Sequence, residues 1–311
     1  MPAAACTEPA RTAMAVDVSL ATHYQLYHDW RASLAFCRTL PDISPSQPTL
    51  FHVFWREETL RLRVLRRSRR FGRKQALPVR AFLATQDLAY CTLWLWSDHD
   101  LSHNPWVRPL LEHVQLKVYE VRREVRGTPL EHLPRVYAQR DGRAYRDADL
   151  FRILALHNYG GVYADMDTVL LRSLGVLLDQ EFTYQWDTFD DLCANALVHL
   201  HRGSPFAREL LQGCASIPPG KYNWGRENFK RAFQRGVRIS VLPSPFFNTE
   251  WQADPRHEPF KRTPRSAEMY DGAFAWHWHN RWDEPIEAGS KFQLLEVEIE
   301  RRLAERGIRL G

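Results

Sequence analysis

Apolar residues along the chain alternate with polar ones in some stretches and recur at helical spacing in others. TLFHVFW at 49–55 predicts a short strand, and strong alternation in CTLWLWSD at 91–98 predicts a second. LKVYEV at 116–121 predicts a third strand after a short helix in PWVRPLLEHV. QALPVRAFLATQDLAY predicts a helix that begins or is interrupted at Pro78. Residues 21–40 predict an amphipathic helix, which PDISPSQP then ends.

The segment after Asp147 has the clearest helical pattern. Four of its residues fall at offsets 0, 3, 4 and 7 and would therefore lie on one face of a helix, namely Leu150, Ile153, Leu154 and His157. Gly160 follows at the position where a glycine commonly ends a helix. VYADMDTVLL then predicts a strand, so this segment predicts a helix, a glycine turn and a strand.

The second half of the chain continues to alternate. FTYQWD, CANALVHLHR, RISVLPS and GAFAWHWHN predict strands, while FARELLQG, NWGRENFKRAFQ and SKFQLLEVEIERRLAERG predict helices. Strands that alternate with helices indicate an α/β fold with a largely parallel central sheet. We expect residues 1–20 to be a disordered leader.

Composition and charge describe a folded protein with a basic surface. Hydrophobic residues make up 44% of the 311 residues, charged residues 25%, and the formal net charge is +5. All but six of the 42 basic residues are arginine, which suits forked contacts with phosphates and carboxylates, although a codon bias toward arginine explains the excess equally well. A basic surface favours an anionic partner such as a nucleotide sugar, a nucleic acid or a membrane face.

Cysteine usage and hydropathy bear on location. Five cysteines without metal-type spacing predict free thiols in a reducing compartment. We find no run of transmembrane length and no signal peptide, so we expect a cytoplasmic protein or an effector secreted by a route without a readable signal.

The candidate chemistry lies in the glycine turn and the strand after it. On a strand, Tyr163, Asp165 and Asp167 would share one face, and a divalent cation with oxygen ligands would relieve the repulsion between the two carboxylates. Such a cation would offset the charge on a departing diphosphate. Asp149 and Arg152 lie on one flank of the preceding helix. The alternatives are two surface aspartates on an edge strand and a helical ion pair.

The string DADLFRILALHNYGGVYADMDTVLL resembles the DXD-containing sugar transferases of glycosyltransferase family 32. Their pattern of Asp, two residues, Arg and then Gly-Gly-x-Tyr-x-Asp-x-Asp is met by Asp149, Arg152, Gly160, Gly161, Tyr163, Asp165 and Asp167. PTLFHVFW, LWLWSD, NALVHLHRGSPF and FAWHWHNRW resemble further segments of the family. The resemblance covers roughly residues 48–282 and is strongest from 147 to 175.

The resemblance implies a GT-A-type fold, with the acidic motif at the edge of a mixed, mostly parallel sheet flanked by helices. It implies retaining transfer of a hexose from a nucleotide sugar, with a UDP-sugar preferred, to a glycan, lipid-linked or protein acceptor in the presence of Mn²⁺ or Mg²⁺. Residues 21–311 would form a single domain, with the donor-binding half at about 48–175 and the acceptor half with the closing segment at about 176–311. The number of subunits stays open.

The resemblance also assigns roles to single residues. Asp149 and Arg152 would hold the donor sugar and phosphate, Tyr163 would lie beside the nucleotide, and Trp55 would stack on the base. Asn195 matches a donor-side asparagine. The catalytic group would comprise Arg152, Asp165 and Asp167.

The metal shell would comprise Asp165, Asp167, His277 and Asn280. An imidazole is a competent ligand for Mn²⁺, but His277 and His279 lie on one face of the strand predicted for GAFAWHWHN and compete for the role. A packed histidine with a satisfied hydrogen bond is the alternative for each.

Two other functions remain open from the sequence. A glycan- or nucleotide-binding module would hold Ca²⁺ without catalysis. A nucleic-acid-binding protein would use the arginines of RLRVLRRSRRFGRK at 61–74, although we expect that run to be a helix with a solvated basic face, which would also suit an anionic membrane. No side chain is identified as a nucleophile, and the candidates for acceptor contact are Asp187, Asp190, Asp191 and Glu227.

Overall fold

The computed structural model describes residues 29–61, 66–138, 145–186, 189–216, 224–250, 258–263 and 270–310. The predicted leader at 1–20 lies outside the described residues. The strands are β1 Thr49–Trp55, β2 Glu58–Arg61, β3 Arg66–Arg69, β4 Cys91–Ser97, β5 Gln115–Val118, β6 Gly161–Ala164, β7 Thr168–Leu170, β8 Phe182–Trp186, β9 Phe189–Leu200, β10 Ser240–Leu242 and β11 Ala275–His277. The helices are α1 Trp30–Thr39, α2 Arg73–Thr85, α3 Val121–Glu124, α4 Pro134–Tyr137, α5 Tyr145–Tyr159, α6 Pro205–Ser216, α7 Arg226–Gln234, α8 Pro245–Asn248 and α9 Lys291–Glu305.

The central sheet has seven strands in the order β10-β8-β9-β6-β1-β4-β5, among the residues described. β9 pairs antiparallel with both of its neighbours, and the other pairings are parallel. From β1 the chain moves outward through β4 and β5 and then returns to β6 on the opposite side of β1. The predicted α/β fold with a mixed, mostly parallel sheet flanked by helices is confirmed.

Helices cover both faces of this sheet because successive side chains of a strand point to opposite faces. On one face Phe51 of β1 packs against Phe82 of α2, with ring centroids 5.0 Å apart. On the other face Phe54 stacks on Phe151 of α5 at 4.6 Å. Buried apolar side chains of α9 extend the first layer, and those of α6 and α7 extend the second.

Three predicted elements differ from the structure. Pro78 lies inside α2 without breaking it, because the buried apolar side chains around it outweigh the local cost of roughly 3 kcal/mol for an interior proline. PWVRPLLEHV forms a 3₁₀ turn at Arg108–Leu110, where Pro109 has no N–H to donate. The described part of the basic run at 61–74 includes the end of β2, all of β3 and the start of α2, so the predicted basic helix is wrong there.

His52, in the middle of β1, ties that strand to the turn before β6. Its Nε2 lies 2.9 Å from the Gly160 carbonyl oxygen, and Trp96 donates its indole N–H to Nδ1 at 3.3 Å. Burial lowers the pKa of His52 to about 4, so the ring is neutral at pH 7. A neutral ring can donate from one nitrogen and accept at the other, as both contacts require.

Four cysteines in the described residues carry free, buried thiols, namely Cys37, Cys91, Cys193 and Cys214. This agrees with the prediction of free thiols for those four, while Cys6 lies outside the described residues. Among the described helices, none combines the length and the apolarity that crossing a membrane requires.

Candidate functional site

The Gly160–Gly161 turn connects the end of α5 to β6 in the middle of the central sheet. Both glycines have positive φ, +69° and +96°, a conformation that residues other than glycine rarely adopt. A Cβ on Gly160 would lie 2.4 Å from the Arg202 backbone nitrogen, and one on Gly161 would lie 2.1 Å from the Leu50 carbonyl oxygen. The two glycines therefore allow the chain to turn and also leave room for the neighbouring backbone.

The two aspartates lie in a turn and not on the predicted strand. β6 ends at Ala164, and the Thr168 N–H donates to the Asp165 carbonyl at 2.9 Å to close the turn, after which β7 joins a second sheet with β11. The expectation that the motif lies at the sheet edge is also wrong, since β6 lies between β9 and β1 in the middle of the sheet. The Asp167 side chain is only 3% exposed, which excludes the alternative of surface aspartates on an edge strand.

Arg152 of α5 joins the helix to the turn. Its guanidinium lies 3.1 Å from Asp149 Oδ1 and 3.1 Å from Asp165 Oδ1, and it donates to the Asn195 carbonyl. The Tyr163 hydroxyl donates to Asp165 Oδ1 at 2.6 Å, and Asn195 Nδ2 donates to Asp149 Oδ1 at 3.0 Å. The structure thus brings all five of these residues, each predicted from the sequence, into one hydrogen-bonded network.

Asp167 faces the closing strand β11. The β7–β11 pairing sets His277 opposite Thr168, which brings His277 Nε2 to 3.2 Å from Asp167 Oδ1. The Asn280 backbone N–H donates to Asp167 Oδ2 at 2.6 Å, and the Trp278 N–H donates to the Asp167 carbonyl at 3.1 Å. The Asp167 carboxylate is therefore positioned by the segment just after β11.

The charges of these buried groups are strongly coupled. Burial raises the pKa of the Asp165 carboxyl, with Arg152 opposing and Asp167 reinforcing that shift. Burial also acts to raise the pKa of Asp167, but His277 outweighs it and the pKa is lowered. Burial acts to lower the pKa of His277, yet the negative Asp167 raises it. Without a cation, Asp167 and His277 are thus held as an ion pair.

Asp165, Asp167 and His277 form the group that fits a metal ion. One ligand atom from each lies within 4.8 Å of the others. The approach of His277 Nε2 to Asp167 falls outside hydrogen-bond geometry, so neither ring nitrogen of His277 has a hydrogen-bond partner in the described part of the chain. A buried imidazole facing two carboxylates matches the mixed oxygen and nitrogen donor set of a divalent cation. His277 is in place for the third ligand.

His279 and Asn280 follow β11 in a left-handed turn, with φ of +54° and +60°. The prediction that His279 shares a strand face with His277 is wrong because the strand ends at His277. The centroids of the two rings nevertheless lie 3.9 Å apart, with the ring planes tilted by 34°, and His279 Nε2 lies 2.9 Å from Asn248 Oδ1. Asn280 Oδ1 accepts from the Trp282 indole at 3.2 Å, so its role as a metal ligand stays a prediction.

A cavity of about 580 Å³ opens over these residues. All nine site residues predicted from the sequence line it: Trp55, Asp149, Arg152, Tyr163, Asp165, Asp167, Asn195, His277 and Asn280. The cavity lies at the carboxyl ends of the neighbouring strands β1 and β6. After β1 the sheet continues on one side through β4 and β5, and after β6 it continues on the other side through β9 and β8. Crevices at such switch points are where open α/β sheets bind ligands.

The cavity wall near Trp55 includes residues that the sequence did not reveal. Trp282 packs edge-on against Trp55 with ring centroids 5.0 Å apart, and Trp186 also lines the cavity. Arg56 follows Trp55 and forms a buried ion pair with Asp147. A basic residue directly after β1 and an acidic one in the first turn of α5 were the available sequence signals. That the two meet depends on how α5 packs on β1.

Of the four residues suggested for acceptor contact, Glu227 alone has a side chain that the structure describes. Asp187 lies outside the described residues, and Asp190 and Asp191 belong to β9 without a described side chain. Glu227 is half-buried in the first turn of α7 and is not among the described residues that line the cavity. Their roles stay predictions.

Comparison with known proteins gives one family match. Residues 98–184 match the family described as "Glycosyltransferase sugar-binding region containing DXD motif", which is less than a third of the chain. The match does not identify glycosyltransferase family 32 in particular, so that assignment stays a prediction. Among curated proteins, none matches the chain.

Two solved structures share a distant likeness. The PaToxG glycosyltransferase is 15% identical, with a TM-score of 0.46, over 67% of this chain and 76% of that one. The apo-form glycosyltransferase GlyE of Streptococcus pneumoniae TIGR4 is 10% identical, with a TM-score of 0.45, over 85% of this chain and 65% of that one. TM-scores and identities this low say nothing about what this chain does. The family match is more specific: residues 98–184, which include Arg152 and the Asp165–Asp167 turn, match the description of a glycosyltransferase sugar-binding region containing a DXD motif.

Proposed function

We propose that this protein is a metal-dependent glycosyltransferase with a GT-A-type fold. It transfers a hexose from a nucleotide sugar, preferably a UDP-hexose, to a carbohydrate, lipid-linked or protein acceptor with retention of configuration. The observation that carries the proposal is the cluster of Asp165, Asp167 and His277 facing a cavity of about 580 Å³, with both aspartates inside the segment 98–184 that matches the DXD family.

Asp167, His277 and Asp165 would hold the divalent cation, with Asn280 as a further oxygen donor. When bound, the cation would neutralise the charge that develops on the departing diphosphate. The imidazole favours Mn²⁺ over Ca²⁺, which takes oxygen ligands, so the ligand set also weighs against the alternative of a calcium-dependent binding module.

The other cavity residues would bind and orient the donor. Asp149 and Asn195 present a carboxylate and an amide beside Arg152, a set that suits sugar hydroxyls. Arg152 stays cationic, since Asp165 and other anions raise its pKa despite the opposing effect of burial. It fixes Asp165 through their contact at 3.1 Å. Trp55 and Trp282 offer aromatic surface for the base.

Retention of configuration fits the state of the three cavity aspartates. Asp149 and Asp165 both contact Arg152, and Asp167 accepts from the Asn280 N–H. These charge-assisted contacts reduce the reactivity of each carboxylate as a nucleophile. In this mechanism the leaving phosphate accepts the acceptor proton on the face from which it departs, so no enzymic nucleophile is needed.

The first test is hydrolysis and transfer with a panel of nucleotide sugars and Mn²⁺, followed by Asp167→Asn. Loss of an outer-shell partner of a metal costs about 10–100-fold in affinity or activity, so loss of a direct ligand should lower turnover by at least about 100-fold. Asp271→Asn removes a carboxylate that is 67% exposed and should leave turnover unchanged. Full activity in Asp167→Asn would remove the metal role, and Mn²⁺ binding without turnover of any donor would favour a binding module.

A further inference from the structure

Lys74, in the first turn of α2, is a buried lysine whose ammonium donates to three backbone carbonyls. Its Nζ donates to the carbonyl oxygens of Arg281 at 3.0 Å, Trp282 at 3.0 Å and Glu284 at 2.7 Å. The ammonium also lies 3.4 Å from the centroid of the Phe260 ring. A lysine ammonium has three N–H donors, and all three are used on one loop.

That loop begins with the left-handed turn at His279 and Asn280. Two successive non-glycine residues in this conformation are strained, so the surrounding contacts must hold them there. The turn is what directs the Asn280 N–H at Asp167 Oδ2, 2.6 Å away. It also places Trp282 against Trp55 in the cavity wall.

We propose that Lys74 is a positioning residue for Asp167. By holding three carbonyls of residues 281–284, it keeps the preceding turn in the conformation that presents the Asn280 N–H to the Asp167 carboxylate. The effect on cation binding rests on the proposed function, since it requires Asp167 to be a metal ligand.

The chemistry of the contact selects lysine. The three carbonyl oxygens converge on one atom, which suits a compact ammonium with rotatable donors. An arginine would spread its donors over a planar fork, and a methionine would fill the space while leaving three carbonyls without their donor. Arg73, the preceding residue of α2, pairs instead with Glu296 of α9 and provides a matched control.

The test compares wild type, Lys74→Met and Arg73→Met by two measurements on the whole chain. Hydrogen exchange followed by mass spectrometry reports on backbone amides in a peptide spanning residues 278–284. We expect Lys74→Met to exchange there about tenfold faster, because three hydrogen bonds to the loop are lost, while Arg73→Met matches wild type. Titration with Mn²⁺ alone should show about tenfold weaker binding in Lys74→Met only.

The outcomes distinguish a failure of the positioning role of Lys74 from a failure of the metal site in the proposed function. Unchanged exchange in a folded Lys74→Met overturns the inference, whatever the cation does. Faster exchange with unchanged Mn²⁺ affinity overturns the positioning role and leaves a purely structural one. Failure of wild type to bind Mn²⁺ overturns the metal site of the proposed function, and with it the link to cation binding. If Lys74→Met does not fold, Lys74→Arg, which keeps the charge over Phe260, should shift both measurements in the same direction.

Discussion

Asp167 is the residue on which most of the site depends. One of its oxygens faces His277 and the other accepts the Asn280 N–H, while its backbone carbonyl accepts from Trp278. These partners belong to the segment from 277 to 280, more than a hundred residues further along the chain. The acidic motif therefore supplies only part of the proposed ligand set.

At the scale of single residues, we predict that His277 rather than His279 is the metal ligand. We expect His277→Ala to weaken Mn²⁺ binding by at least about tenfold, because it removes the ring that faces both aspartates. His279→Ala should have a smaller effect, since the structure directs His279 Nε2 to Asn248. Isothermal titration with Mn²⁺ measures both. Equal losses in the two variants would contradict the assignment.

The ion pair predicts that Mn²⁺ binding releases a proton. Asp167 outweighs burial and raises the pKa of His277, so at a given pH more of it is protonated than of a free imidazole, and that proton must be lost to bind a metal. Affinity should therefore rise with pH from 6 until the His277 pKa is passed, and then level off. Titration in buffers of different ionisation enthalpy counts the protons. A pH-independent affinity in wild type would show that His277 is not a ligand.

At the scale of elements, the glycine turn decides whether α5 and β6 meet at the correct place. Gly161→Ala should lower the free energy of unfolding by more than about 3 kcal/mol, from strain at positive φ and from a Cβ 2.1 Å from the Leu50 carbonyl. Gly127 has a similarly positive φ of +72° with nothing within 4 Å of a Cβ, so Gly127→Ala should cost only about 1–2 kcal/mol. Urea unfolding of both variants measures the difference. Equal losses would mean that crowding against β1 is unimportant.

At the scale of the whole molecule, two buried histidines make the fold sensitive to acid. Burial lowers the pKa of both His52 and His199 to about 4, while the unfolded chain protonates near 6.5. The unfolded state thus binds more protons as pH falls from 6.5 toward 4, and stability decreases over that window. At pH 5 each histidine should contribute about 2 kcal/mol of this loss.

Urea unfolding at pH 7.5 and pH 5 tests the acid effect. His199→Gln removes one of the two groups and should lose less stability between these pH values than wild type, whereas His103→Gln changes an exposed histidine and should behave as wild type does. The His277–Asp167 pair acts in the opposite direction. Its contribution is complete below pH 6.5 and is lost as pH rises through the raised His277 pKa. Equal losses in wild type and His199→Gln between the two pH values would contradict the assignment of His199 as a neutral, buried histidine.

The sequence by itself determined the α/β class, most elements and nine of the residues that line the cavity. Local patterns suffice for this: the strand at 91–98 follows from period-2 alternation, and the helix end at Gly160 follows from a glycine after an apolar periodic face. The nine candidate residues were found because the acidic motif and its flanking segments resemble a known family, and all of them line one cavity.

Only the tertiary structure decided how those residues are arranged. Asp165 and Asp167 lie in a turn because the chain leaves the central sheet there to pair with β11, and no local pattern in VYADMDTVLL shows that departure. Of the two histidines, His277 faces the aspartates because the three-residue strand β11 ends there and the chain turns before His279. The roles of Lys74 and Arg56 come from contacts between distant segments, whose free energies depend on packing that a single stretch of sequence does not contain.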